Sequence, residues 1–188
     1  MVSCWVFNEY LNDAEAIQNG ARKILSSLDG FEHMNIEVQE YEAFTTSGGL
    51  GTMCETYEGK VDTSNYKTIR YPGHGKLMRF LLYELILKND LTKLEEILTN
   101  AKPPVDEDLV HVYAVVEGLI DGKMKRKEFF QTYFPKELAG HTWRAISWTT
   151  AAALSAVVEL VAQGKLPQKG FIKQEEINVV DFFVPPLQ

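Results

Sequence analysis

Two strand-to-helix junctions hold the residue types in this sequence best suited to chemistry. In the first, Val38-Gln39-Glu40-Tyr41-Glu42-Ala43-Phe44 runs into Thr45-Thr46-Ser47-Gly48-Gly49-Leu50-Gly51-Thr52. In the second, Tyr66-Lys67-Thr68-Ile69-Arg70-Tyr71 stops at Pro72-Gly73 and is followed by His74. Junctions of this kind leave backbone N–H groups unpaired. The hydroxyls of Thr46 and Ser47, the glycines Gly48 and Gly49, the Arg70 guanidinium and the His74 imidazole stand beside them. Such a set suits a carboxylate: a guanidinium meets it with a planar fork, and free N–H groups at a helix start complement its charge. The competing reading is that the glycines only permit tight turns and that Arg70 pairs with one of the many acids.

Other chemistries lack their residues. His33, His74, His111 and His141 have no second ligand at a spacing such as His-x-x-x-His, so no metal site is indicated, and His111 in an apolar strand reads as a sheet histidine. Gly49-Leu50-Gly51 meets Cys54, and Gly73-His74-Gly75 meets Met78, where a dinucleotide fingerprint needs its third glycine. Gly75-Lys76 fails as a phosphate loop because Arg70 stands at the first glycine position and Leu77 at the Ser/Thr position. No Gly-x-Ser-x-Gly elbow surrounds a serine. The sequence therefore carries no complete active site, and its chemistry has to be finished by another domain or partner.

The elements that must position these residues are set by periodicity. Met1 to Phe7 reads as a strand, and Val38 to Phe44 alternates as a half-buried strand does. Met53 to Tyr57 fits a short helix. From His74, apolar Leu77, Met78, Leu81, Leu82, Leu85 and Ile86 recur at helical spacing, predicting an amphipathic helix to about Lys88. Thr92 and Glu95 form a Thr-x-x-Glu capping box opening a helix that Pro103-Pro104 closes. Leu109 to Val116 and Met124 to Phe134 are predicted as a hairpin through Asp121-Gly122. Trp148 to Gln163 is apolar almost all round and predicts a core helix ended by Gly164-Lys165. With one hairpin and no regular strand–helix–strand rhythm, the pattern predicts a single α+β domain over residues 1–188, with a mixed, largely antiparallel sheet.

Composition bounds the partners. At 45% hydrophobic and 24% charged, the 188 residues are those of an ordinary globular protein. A net charge of −7 opposes phosphate backbones and anionic membranes, so neither nucleic acid nor a membrane surface is expected. Lys123, Lys125, Arg126 and Lys127 read as a solvated hairpin tip. Two cysteines, Cys4 and Cys54, with no Asn-x-Ser/Thr sequon point to a reducing, cytoplasmic setting. Neither a basic leader nor a stretch near the roughly 18 apolar residues that span a bilayer is expected. Because the predicted strand starts at once, Met1 reads as a cut within a longer gene product.

The stretches Tyr41 to Thr52 and Tyr66 to His74 closely resemble the second domain of the saccharopine dehydrogenase family. The resemblance is strongest from about Tyr41 to Leu87, resumes at Thr149-Thr150, and fades through Gly170 to Phe183. The family often has Gly and Pro after the paired threonines, where this chain has Ala151, Ala152 and Ala153. The resemblance implies a domain like the second domain of glyceraldehyde-3-phosphate dehydrogenase, a mixed sheet with helices on one face. It further implies substrate-binding and dimerisation roles beside a Rossmann domain of the parent chain, which carries NAD or NADP. Hydride would pass at the CH–NH bond of an amino acid of the lysine or saccharopine type. Arg70, Thr46, Ser47, Gly48, Gly49, His74, Thr149 and Thr150 are the residues expected on the substrate side, with the general acid and base unassigned. The chain alone is expected to bind no nicotinamide cofactor and to be inactive. The rival expectation is a free-standing, non-catalytic binding or oligomerisation module.

Overall fold

Asn19 and Gly20 take φ of 53° and 76°, the paired left-handed conformations that join two strands through a two-residue turn. They connect β1 (Ala14–Gln18) to β2 (Ala21–Leu25) in a hairpin that hydrophobic alternation does not reveal. The computed structural model describes residues 4–183, with side chains from residue 7 onward. The chain divides into two compact units, Met1–Pro104 and Val105–Gln188.

In the first unit, β3 (Glu32–Ile36), β4 (Gln39–Thr45) and β5 (Lys67–Arg70) form an antiparallel sheet with β4 in the centre. β4 lies where the alternation places it, but Tyr41, Glu42, Ala43, Phe44 and Thr45 are all buried. Successive side chains point to opposite faces, so both faces of β4 are covered rather than one.

The chain start differs from the expected strand. Residues 1–3 of that strand lie outside the described residues, and Cys4–Leu11 is a helix, α1. Helical spacing puts Phe7, Tyr10 and Leu11 on one face, where Phe7 and Tyr10 join Leu28, Phe44, Met78, Leu82 and Leu94 in the core. That burial favours the helix over the strand that β-prone Trp5, Val6 and Phe7 suggest.

The short α2 (Met53–Tyr57) has its expected bounds. Helix α3 (His74–Arg79) also starts as expected, but a π-helical turn over Phe80–Glu84 comes next, and Ile86 at φ 58° ends the run. A π turn adds one residue, rotating the residues beyond it by about 100°. Leu85 and Ile86 thereby leave the core stripe, while Met78 and Leu82 stay buried. Helix α4 (Leu91–Ala101) is capped ahead of the Thr92 box: Asp90 accepts the Lys93 N–H at 3.0 Å. Asp serves as well as Thr in this position, and starting at Leu91 aligns Leu91, Leu94 and Leu98 toward the core.

In the second unit, β6 (Val110–Ile120) and β7 (Lys123–Tyr133) form the expected hairpin, with Asp121 and Gly122 at φ 53° and 73°. A smaller hairpin pairs β8 (Lys136–Leu138) with β9 (His141–Trp143). Helix α5 (Ala145–Ala162) opens on the Asp108 carboxylate, which accepts the N–H groups of Ala145 and Ile146 at 2.5 and 2.9 Å. Gly164 at φ 71° lies just past its end, as expected, and α6 (Val179–Phe182) is the last helix described.

Within its own unit helix α5 is not a core helix: only Ala145 and Leu160 are buried, and Ile146, Leu154 and Val158 are exposed. Composition shows which surfaces are apolar, not what covers them. With 18 residues and one charge, Glu159, α5 is also long and apolar enough to cross a membrane by length and composition, against the expectation that no stretch comes near that length. Core helices of soluble proteins share that property. The α+β class holds, and among the described residues every strand pair is antiparallel.

Candidate functional site

Strands β4 and β5 pair with Glu42 opposite Arg70 and Thr45 opposite Lys67. The two junctions therefore leave from opposite ends of one antiparallel ladder, three residues or about 10 Å apart. Helix α1, between them, touches both. Its Glu9 carbonyl accepts the Ser47 N–H at 3.0 Å, its Asn8 carbonyl accepts the Ser47 hydroxyl at 3.4 Å, and its Tyr10 reaches the Arg70–His74 end.

At that end, the Glu42 carboxylate accepts the backbone N–H groups of Gly73 and Gly75 at 2.7 and 2.6 Å. Glu42 is 4% exposed, and it supplies from within the chain the negative charge that the start of α3 favours. Those N–H groups are therefore taken, which leaves side chains to receive any ligand.

Arg70 does not pair with an acid among the described residues. Its Nε donates to the Tyr10 hydroxyl at 3.3 Å and its Nη1 to the carbonyl of Ile69 at 2.9 Å. His74 Nε2 lies 3.1 Å from the same hydroxyl, and its ring stacks on Phe44 with centroids 6.3 Å apart. Burial lowers the His74 pKa to about 4; the Arg70 charge pushes the same way, and the Glu42 carboxylate opposes both. His74 is thus neutral at pH 7, a hydrogen-bonding group beside a partly buried guanidinium.

At the other end, Thr46 is buried and its hydroxyl shares a 2.7 Å hydrogen bond with Thr68. Gly48 needs its φ of 88° for the turn. Gly49 packs so closely that a Cβ would sit 1.9 Å from Cγ of Tyr66. The loop lines a depression of about 220 Å³ together with Asp13, Glu15 and Tyr66.

The sequence matches the family described as Saccharopine dehydrogenase C-terminal domain over residues 3–188. The chain belongs to that family. Membership supports a dehydrogenase-like parent protein for this saccharopine dehydrogenase C-terminal domain, and the match runs across both compact units.

Of the residues expected on the substrate side, Arg70 and His74 meet around one hydroxyl, while Thr46, Ser47, Gly48 and Gly49 form the opposite end of the ladder. Thr149 and Thr150 lie on α5 in the second unit, where the Thr149 hydroxyl donates to the Ala145 carbonyl of its own helix at 2.8 Å. Among the described residues no group of three His, Cys, Asp or Glu side chains could hold a metal ion. Sequence reasoning misses two residues at the Arg70 end. Tyr10 is hidden when the chain start is read as a strand. Glu42 reads as a polar position of an alternating, half-buried strand, and only the covering of both faces of β4 buries it and calls for a partner.

Proposed function

We propose that this chain is the substrate-holding part of a saccharopine dehydrogenase-like oxidoreductase of the cytoplasm, acting on the CH–NH bond of an amino acid of the lysine or saccharopine type. NAD or NADP, held by a Rossmann domain of the parent chain, accepts or donates the hydride. The residues described here bind and orient. The observation that carries this reading is Arg70: a guanidinium anchored by Tyr10 and the Ile69 carbonyl, making no ion pair among the described residues because its cross-strand neighbour Glu42 is taken up by the Gly73 and Gly75 N–H groups, beside a neutral imidazole. A surface arginine that only balances charge has no need of such anchoring. A substrate carboxylate would take the planar fork, with His74 hydrogen-bonding beside it.

Arg70→Lys keeps the charge and loses the fork. With charge-assisted hydrogen bonds contributing about 1.5–3 kcal/mol each, kcat/KM of the complete protein should fall by about one to two powers of ten. An unaltered kcat/KM with an unchanged circular dichroism spectrum removes Arg70 from the substrate carboxylate.

A two-fold dimer belongs to the same proposal. The β6–β7 hairpin is two strands wide and exposes Val116, Leu119, Met124 and Phe129, with Leu119 and Met124 each 70% exposed. An isolated two-stranded hairpin is marginal in water and a long apolar edge invites pairing, so a second copy is the expected cover. Sedimentation velocity at tens of micromolar should give a dimer. A well-behaved monomer rejects that half of the proposal.

A further inference from the structure

We infer that Tyr10 is a positioning residue of the Arg70–His74 site, its hydroxyl holding the guanidinium and setting which imidazole nitrogen carries the proton. The inference rests on the proposed substrate site and adds a residue to it. A phenol has one proton to give and lone pairs to receive with. Arg70 Nε–H can only donate, so the Tyr10 oxygen is the acceptor of that contact. Its own proton then has one partner in reach among the described residues, His74 Nε2 at 3.1 Å. The opposite assignment, with Nε2–H donating to the phenol, strands a hydroxyl proton on a side chain only 2% exposed, where an unmade hydrogen bond is costly.

The chain of donors therefore runs Arg70 Nε–H to Tyr10 O–H to His74 Nε2. Its consequence is that the neutral His74 carries its hydrogen on Nδ1. That nitrogen makes no hydrogen bond among the described residues and is left to donate to a ligand, and Arg70 Nη2 is left in the same way. Packing holds the relay in place, since the Tyr10 ring lies against Phe44 and His74 at centroid separations of 6.2 and 5.8 Å.

Tyr10→Phe removes the hydroxyl and keeps the ring. In the 188-residue chain at pH 7, proton–nitrogen correlation spectra of the His74 imidazole should show the Nδ1–H tautomer for the parent sequence. In Tyr10→Phe they should show a mixture in which Nε2–H, favoured in free imidazole, is prominent. The Arg70 Nε–H resonance should shift and exchange faster with water in the variant. In the complete protein, loss of one hydrogen bond should lower kcat/KM about tenfold. An Nε2–H tautomer in the parent sequence, or a tautomer and an Arg70 Nε–H signal untouched by Tyr10→Phe, overturns the inference. If the spectra change as described while Arg70→Lys leaves kcat/KM intact, the relay stands and the substrate assignment of Arg70 is what fails.

Discussion

Glu42→Ala is expected to destabilise the first unit by about 3–5 kcal/mol, the largest effect of any single substitution at the site. The carboxylate accepts two backbone N–H groups at 2.7 and 2.6 Å, and each charge-assisted bond contributes about 1.5–3 kcal/mol. The half-buried Gly73 N–H can turn to water, but the Gly75 N–H finds no simple replacement. Gly75 is buried against aromatic rings, so close that a Cβ there would lie 2.5 Å from the Phe31 ring and 3.0 Å from the Phe44 ring, leaving little room for water. Glu42→Gln should cost about half as much, because its amide oxygen can serve one N–H while its NH2 group faces the other. Urea unfolding followed by circular dichroism measures both. A loss under about 1 kcal/mol for Glu42→Ala would mean that water reaches the start of α3 and that the carboxylate does not organise it. Since α3 carries His74, and Arg70 lies opposite Glu42 in the ladder, a real loss should also weaken any ligand binding at Arg70.

His74 should make the same unit sensitive to mild acid. Its pKa is lowered to about 4 in the folded chain, against about 6.5 when unfolded. Between these values the unfolded state binds a proton that the native state refuses, so stability rises with pH across that window. Its contribution is fully present above about pH 6.5, declines as pH falls toward about 4, and levels off below it. The interval corresponds to at most about 3.5 kcal/mol at roughly 1.4 kcal/mol per unit. Unfolding free energies of the parent sequence and of His74→Gln, measured from about pH 7.5 to about pH 3.5, isolate this contribution. The difference between the two should change by a few kcal/mol over the window and be flat above it. Parallel profiles would show that the imidazole is solvated and ionises freely.

How much of this was legible in the sequence differs from element to element. Asp121-Gly122 marks its hairpin because only residues tolerant of positive φ suit both central positions, and the observed angles agree. Asn19-Gly20 carries the same signal for β1 and β2, but the strands on either side lack the alternation that would draw attention to it. Met53–Tyr57, the start of α3 at His74 and the close of α4 before Pro103 are equally local, and all three agree with the structure. The π turn after Arg79 is not, since a run of Phe80-Leu81-Leu82-Tyr83 is compatible with either helix type and packing on the core chooses between them.

Local patterns thus settled the α+β class, most of the turns, and the concentration of polar chemistry at Thr46–Gly49 and Arg70–His74. Those are short-range properties: hydrophobic period, backbone tolerance of glycine and asparagine, and the residue types that follow a strand end. The family resemblance, now matched over residues 3–188, came from the same two stretches of chain. Tertiary structure alone decided that Glu42 would occupy the N–H groups of Gly73 and Gly75, and that the two junctions would sit at opposite ends of the β4–β5 ladder. It also decided that Tyr10 would come from 60 residues away in sequence to meet Arg70. Hydrogen bonds between distant residues depend on strand register and on which helix face is buried, and one residue of slip in either would exchange every partner.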